Sequence, residues 1–159
     1  MSINSRFTRF ICVLAAITIL NSIAFAGAPW IGTWKLNLSK SMFSPGPAPQ
    51  SQTVTFGLSE GGIKVTIDGI DAQGKPTHSE YTSKFDGKEV PWKGNPNADT
   101  ASPRVIGNRS YENTSKKGGK VTITAKVVVS EGFSTLTATQ TGKDSEGRTV
   151  NHRAVYDKQ

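Results

Sequence analysis

Apolar and polar residues alternate with period two along most of the chain after residue 26, a pattern that predicts short β-strands. No long window after residue 26 has the three- and four-residue apolar spacing of an amphipathic helix. The sequence therefore predicts an all-β domain with nine or ten strands. The first predicted strand covers residues 30–38, and its apolar face consists of Trp30, Trp34, Leu36 and Leu38.

The other predicted strands are short and are separated by turn residues. Glu60-Gly61-Gly62 and Asp71–Lys75 predict turns, and Asp86-Gly87 is a strong signal for a two-residue hairpin. Two longer connections are expected at residues 39–50, which are rich in proline, and at Lys93–Pro103. The predicted strand segments are 54–58, 63–67, 81–85, 90–92, 105–106, 109–114, 121–129, 133–141 and 148–157.

A meander of many short antiparallel strands must protect its edges, and closure into a barrel is the simplest way to do so. The alternation places apolar residues inside and Lys, Thr and Asp outside, which is the reverse of an outer-membrane barrel. We therefore expect an antiparallel up-and-down meander closed into a small soluble barrel. A two-sheet β-sandwich is the structural alternative.

The first 26 residues have the three parts of a secretory signal peptide. Arg6 and Arg9 supply positive charge, Phe10–Leu20 is an apolar run, and Ala24-Phe25-Ala26 offers small residues at a cleavage site. A membrane span needs about 20 apolar residues, so an uncleaved anchor is the less favoured alternative. We expect a bacterial periplasmic or secreted protein with no stable membrane insertion after cleavage, and one domain over residues 27–159.

Cysteine usage and charge narrow the functional classes. Cys12 is the only cysteine and lies within the apolar run, so the processed chain has no disulfide and no thiolate nucleophile. Removing Arg6 and Arg9 lowers the formal net charge from +7 to +5. The remaining basic residues are scattered singly, apart from the charged turn at residues 116–120. This arrangement is typical of a solvated surface, and we predict no nucleic-acid partner.

Residue types used in catalysis and metal binding are present without the spacing that those functions need. His78 and His152 are the only histidines, and no carboxylate pattern accompanies either of them. There is no Gly-x-Ser-x-Gly motif and no histidine beside a Ser/Asp arrangement. We therefore expect no catalytic residue, no metal, no cofactor and no enzymatic activity.

The segment Gly32-Thr33-Trp34-Lys35-Leu36 resembles the first strand of the calycins, the lipocalins and intracellular fatty-acid-binding proteins, in which Gly-x-Trp closes the base of the barrel. The end of the chain, Arg153–Lys158, is similar to the Arg-x-Tyr-Glu-Lys ending of the fatty-acid-binding proteins. The opening GTWKLN-x-x-KS-x-F-x-PGPAP and the ending VYDKQ also resemble exported proteins of soil bacteria. The resemblance implies a lipocalin-like barrel and implies no particular activity.

Two features depart from the fatty-acid-binding proteins. Their arginine and tyrosine lie two residues apart and together bind a carboxylate, whereas Arg153 and Tyr156 are three apart and face opposite sides of a regular strand. Their helical lid is replaced here by the proline-rich segment 39–50. The carboxylate site of that family is therefore not transferred to this chain.

Several aromatic residues converge on the predicted interior, where they either fill a core or line a small apolar cavity. The small residues Gly57, Ser83 and Ala125 leave room for such a cavity. His152 shares the apolar face of the last strand, where it either contacts a ligand or makes hydrogen bonds in the core or at the rim. The predicted ligand-binding residues are Trp34, Tyr81, Phe85, Trp92, His152 and Tyr156.

Two functional hypotheses follow. The first is an exported lipocalin-like barrel that binds a small hydrophobic or amphipathic ligand without catalysis. The alternative is a solid β scaffold that acts as a protein-interaction or inhibitor module through Ser44–Pro49 and Lys93–Pro103. An interior cavity would favour the first hypothesis.

Overall fold

A computed structural model describes residues 27–159, and the predicted signal peptide lies outside the described residues. Ten strands form one antiparallel sheet, in which neighbours along the chain are paired except β4 and β5, and β1 pairs with β10. Within residues 27–159, no helix is long and apolar enough to cross a bilayer. The strands are β1 (Gly32–Leu36), β2 (Ser51–Ser59), β3 (Gly62–Ile70), β4 (Pro76–Ser83), β5 (Val90–Pro91), β6 (Thr100–Gly107), β7 (Ser110–Lys117), β8 (Lys120–Val129), β9 (Thr135–Lys143) and β10 (Thr149–Lys158).

The sheet curls into a nearly closed barrel whose two edges are β4 and β5. Glu80 and Lys93 join these edges by donating backbone N–H groups to each other's carbonyl oxygen, both at 3.0 Å. A second link forms further along, where the Val105 N–H donates to the Phe85 carbonyl at 3.1 Å. One continuous sheet confirms the predicted barrel and rules out the two-sheet sandwich.

The inward faces of the strands pack tightly at one end of the barrel. The rings of Trp30, Phe85 and Tyr111 contact one another, with centroids 4.9–5.7 Å apart. The Trp34 side chain is fully buried, and its indole N–H donates to the Trp30 carbonyl at 2.7 Å. We call this aromatic cluster (Trp30, Trp34, Phe85 and Tyr111) the closed end.

The first strand is shorter than predicted. β1 ends at Leu36, and Leu38–Lys40 form a 3-10 turn in which Leu38 is exposed. The Asn37 side chain caps this turn by accepting a hydrogen bond from the Lys40 N–H at 3.3 Å. The proline-rich segment that follows forms no strand, as predicted, and touches the sheet through an isolated bridge between Met42 and Arg153.

The Asp86-Gly87 hairpin prediction is wrong. β5 pairs with β6 and not with β4, and Asp86 bridges Arg104 across the barrel edge. Phe85 adopts a left-handed backbone with φ of 55°, which redirects the chain before a tight hairpin can form.

The predicted loop Lys93–Pro103 is also too long, because β6 begins at Thr100 and Pro103 pairs with Asn113 within it. Pro103 is tolerated in a strand because β5 is only two residues long and ends at Pro91. The β6 edge beyond Pro91 therefore needs no backbone N–H donor at residue 103, and the Pro103 carbonyl accepts from the Gly87 N–H at 2.9 Å.

The hydroxyl-bearing rings of all three tyrosines in the chain, Tyr81, Tyr111 and Tyr156, are buried. Burial disfavours the charged phenolate and raises the pKa of each tyrosine above the ordinary value of 10. The folded protein therefore retains these three protons at a pH where the unfolded chain has begun to lose them.

We expect the sheet to tolerate added side chains very unevenly. At Gly142, φ is 141° and a Cβ would lie 2.0 Å from the Thr122 carbonyl oxygen, whereas a Cβ at Gly57 meets nothing within 4 Å. Gly142→Ala should lower the free energy of unfolding by about 3 kcal/mol. Gly57→Ala should change it by less than about 0.5 kcal/mol. Urea unfolding followed by tryptophan fluorescence measures both, and equal effects would contradict the close approach at Gly142.

We also expect stability to fall at alkaline pH because of the buried tyrosines. Their contribution is fully present below pH 10 and is lost as the pH rises further, since the unfolded chain ionises first. Each tyrosine should contribute a slope of up to about 1.4 kcal/mol per pH unit. Urea unfolding of the parent and of Tyr156→Phe at successive pH values above 10 isolates the share of one tyrosine. Parallel pH profiles for the two proteins would disprove the contribution of Tyr156.

Candidate ligand-binding cavity

An interior cavity of about 680 Å³ lies above the closed end of the barrel. Inward side chains of seven strands line it, together with Trp92 and part of the connection between β5 and β6. Pockets for small molecules usually measure about 300–1,000 Å³. The barrel interior is therefore large enough to hold one ligand of modest size.

The lining changes from apolar to polar along the barrel axis. On β2 the inward residues run from Phe56 at the floor to Gln52 near the opposite end. On β9 they run in the same sense from Leu136 to Gln140. We call these two regions of the lining the apolar floor and the polar upper wall.

The polar upper wall continues on β7, where Asn113 and Ser115 are buried. The Asn113 side chain accepts from the Ser102 N–H at 3.0 Å and donates to the Ser115 hydroxyl at 3.3 Å. On β10, the Tyr156 hydroxyl donates to the Gln52 side-chain oxygen at 2.5 Å. Hydrogen bonds within the protein thus fix the orientation of several polar groups that face the cavity.

The cavity reaches the surface at the end opposite the closed end, which we call the mouth. The turn Asp71–Lys75, His78 and the loop at residues 94–98 form its rim. The loop is held in place because the Asn97 side chain accepts from the Ser145 N–H at 3.0 Å. His78 lies 2.6 Å from the carboxylate of Asp68 through Nδ1, and Asp71 and Lys75 place charged side chains on the rim.

Three of the six predicted ligand-binding residues line the cavity: Tyr81, Trp92 and Tyr156. The rings of Tyr81 and Trp92 meet edge to face, with centroids 5.0 Å apart. The Trp92 indole N–H is buried and has no hydrogen-bond partner among residues 27–159. The structure therefore brings these three side chains together around one space.

The other three predicted residues lie outside the cavity lining. Trp34 and Phe85 belong to the closed end, beneath the floor. His152 packs against Phe43, with ring centroids 5.2 Å apart, and its Nδ1 accepts from the Ser44 N–H at 3.0 Å. Partial burial lowers the pKa of His152, which favours the neutral ring that this hydrogen bond requires. This position agrees with the alternative interpretation, in which His152 makes a hydrogen bond at the rim of the barrel.

Sequence reasoning missed most of the polar upper wall. A signal was available, because period two from Phe56 places Gln52 inward and period two from Leu136 places Gln140 inward. Of the small residues expected to leave room, Ala125 does line the cavity. Ser83 is buried instead beside the closed end, where its hydroxyl accepts from the Phe85 N–H at 3.0 Å, and Gly57 faces outward opposite Lys64.

The two segments proposed as partner-binding loops border the mouth. Pro49, at the end of Ser44–Pro49, and the loop at residues 94–98 both contribute to the cavity lining. Ala98 is almost fully buried, and Pro103 is buried within β6. Within residues 27–159, no group of three or more potential metal ligands comes together.

Comparison with known proteins supports the fold and leaves the ligand open. No protein-family model and no curated protein matches the chain. A redesigned β-barrel is similar in structure, with a TM-score of 0.50, 13% sequence identity, and coverage of 87% of this chain and 98% of that one. Zebrafish ileal bile acid-binding protein in complex with cholic acid has a TM-score of 0.47 and 12% identity, covering 82% and 99%. The likeness to the redesigned β-barrel agrees with the barrel fold and shows nothing further, and the ligand class must be inferred from the cavity.

Proposed function

We propose that this protein is an exported, lipocalin-like barrel that binds one small amphipathic molecule without chemically changing it. The apolar part of the ligand lies on the apolar floor, and its polar part faces the polar upper wall. The observation that supports this proposal best is the cavity of about 680 Å³ with its change from apolar to polar lining.

The energetics of the barrel favour binding over a purely structural role. Protein interiors are normally close-packed, and a void removes dispersion contacts from the side chains around it. A solid scaffold would gain stability if larger residues replaced Ala125 and Ala138, which both line the cavity. A ligand chain on the floor would restore those contacts and gain about 0.8 kcal/mol for each buried methylene group.

The signal-peptide features of residues 1–26 support action outside the cytoplasm. The full-length gene, expressed in a bacterium, should yield protein in the periplasmic fraction with an intact mass matching residues 27–159. A control lacking residues 2–20 should remain in the cytoplasm. Recovery of the uncut chain in the membrane fraction would disprove cleavage and favour a retained anchor.

Ligand binding is tested by filling the cavity. Ala125→Trp places a large ring in the cavity, and it should weaken binding of the neutral fluorescent probe 1-aminoanthracene at least about tenfold. Lys126→Trp puts the same ring on the outer face of the same strand and should leave the affinity unchanged. Fluorescence titration gives the affinities, and thermal unfolding shows that both variants are folded.

The result that would overturn the proposal is binding that is equally strong in Ala125→Trp and in the parent. Such a probe would be bound on the surface. Native mass spectrometry of the protein from the periplasm adds a second readout, because an enclosed ligand appears as an added mass that disappears on denaturation.

A further inference from the structure

On the basis of the proposed function, we infer that the ligand is uncharged and presents an oxygen acceptor to the indole N–H of Trp92. The cavity lining carries no charged side chain below the mouth, and the buried Trp92 N–H has no partner among residues 27–159.

Charged side chains in the cavity lining are confined to the mouth. Among the described residues they are Asp71 and Lys75, joined by the titratable His78. Arg153 cannot neutralise a ligand charge inside the cavity. Its guanidinium donates to the Lys40 carbonyl at 3.1 Å on the outside of the barrel. A ligand charge inside the cavity would therefore have no partner of opposite sign.

Lys158 is a partly buried cation that is already engaged at the closed end. Its ammonium group donates to the Ile31 carbonyl and lies 4.2 Å from the ring centre of Trp34. Lys158 does not line the cavity. It therefore stabilises the base of the barrel and is not placed to bind a ligand.

Burying an ionised group without a partner costs several kcal/mol, so such a cavity discriminates against ligands with a charged headgroup. The change from an apolar floor to a polar upper wall also favours an uncharged headgroup. An apolar chain on the floor would bring its headgroup against Gln52, Gln140 and Asn113, which are all neutral hydrogen-bonding groups. Neutral alcohols, ketones, esters and sterol-like alcohols match this arrangement.

Trp92 supplies a donor that an uncharged headgroup would use. The Trp92 N–H is buried without a partner, and a buried donor left unpaired is costly. The Trp92 ring packs edge to face against Tyr81, which also lines the cavity, with centroids 5.0 Å apart. By contrast, the Tyr156 proton is already used by Gln52.

A matched headgroup series tests the charge selection on the unmodified protein. Isothermal titration calorimetry at pH 8 would compare decanol, decanoate and decylammonium, which share one alkyl chain. We expect decanol to bind at least about tenfold more tightly than either ion, because both ions would be buried without a counter-ion. Equal or tighter binding of either ion would overturn the inference.

The acceptor is tested by Trp92→Phe, which keeps an aromatic ring and removes the N–H. Decanol affinity should fall about fivefold, the size expected for one hydrogen bond. Trp30→Phe is the matched control, because the Trp30 N–H also lacks a partner but Trp30 lies outside the cavity lining. Decanol affinity should not change in that variant. Unchanged affinity in Trp92→Phe would show that the ligand does not use this donor.

The two proposals fail in different ways. If no decyl compound and no 1-aminoanthracene binds, or if Ala125→Trp leaves binding intact, the proposed binding function itself is wrong. If decanoate or decylammonium binds as tightly as decanol and Ala125→Trp abolishes that binding, the cavity is a ligand site but its selectivity is not for uncharged molecules.

Discussion

The barrel depends on the junction at which β1 and β10 meet around the buried Trp34. The indole N–H of Trp34 binds the Trp30 carbonyl, and the ammonium group of Lys158 covers the ring. Gly32 makes this possible, since a Cβ at Gly32 would lie 2.5 Å from the Lys158 nitrogen and its φ is 120°. The Gly-x-Trp motif and the lysine at the far end of the chain are thus parts of one contact.

A firmly packed base allows the rest of the interior to remain hollow. The aromatic rings of the closed end are concentrated in one layer, and the strands above them direct smaller or more polar side chains inward. Backbone pairing runs continuously from β4 through β1 and β10 to β5, so the wall does not rely on a filled centre for its hydrogen bonds. Stability and capacity for a ligand are therefore supplied by different layers of the same barrel.

Period-two alternation predicts most of the strands and the apolar part of their inward faces, because one buried side imposes that pattern directly on the sequence. It failed where the structure depends on distant partners. Asp86-Gly87 has the local chemistry of a hairpin, yet Arg104 and Pro103 hold this segment against another strand. Proline is typical of loops, and Pro103 is tolerated within β6 because β5 is only two residues long.

The candidate site was predictable to a similar extent. Aromatic content pointed to Tyr81, Trp92 and Tyr156, which line the cavity, but could not separate them from Trp34, which belongs to the base. Depth along the barrel axis distinguishes these groups, and depth depends on strand register. Gln52 and Gln140 were overlooked because polar residues were assumed to face outward.

The junction of β1 and β10 also governs when the barrel can form. Ile31 and Lys158, which meet there, are 127 residues apart in sequence. A contact between such distant residues requires closure of almost the whole chain, and long-range contacts of this kind slow folding. While the chain is being synthesised, β1 therefore has no partner for one of its edges until the final strand has emerged. The complete barrel therefore cannot close until β10 is available to pair with β1.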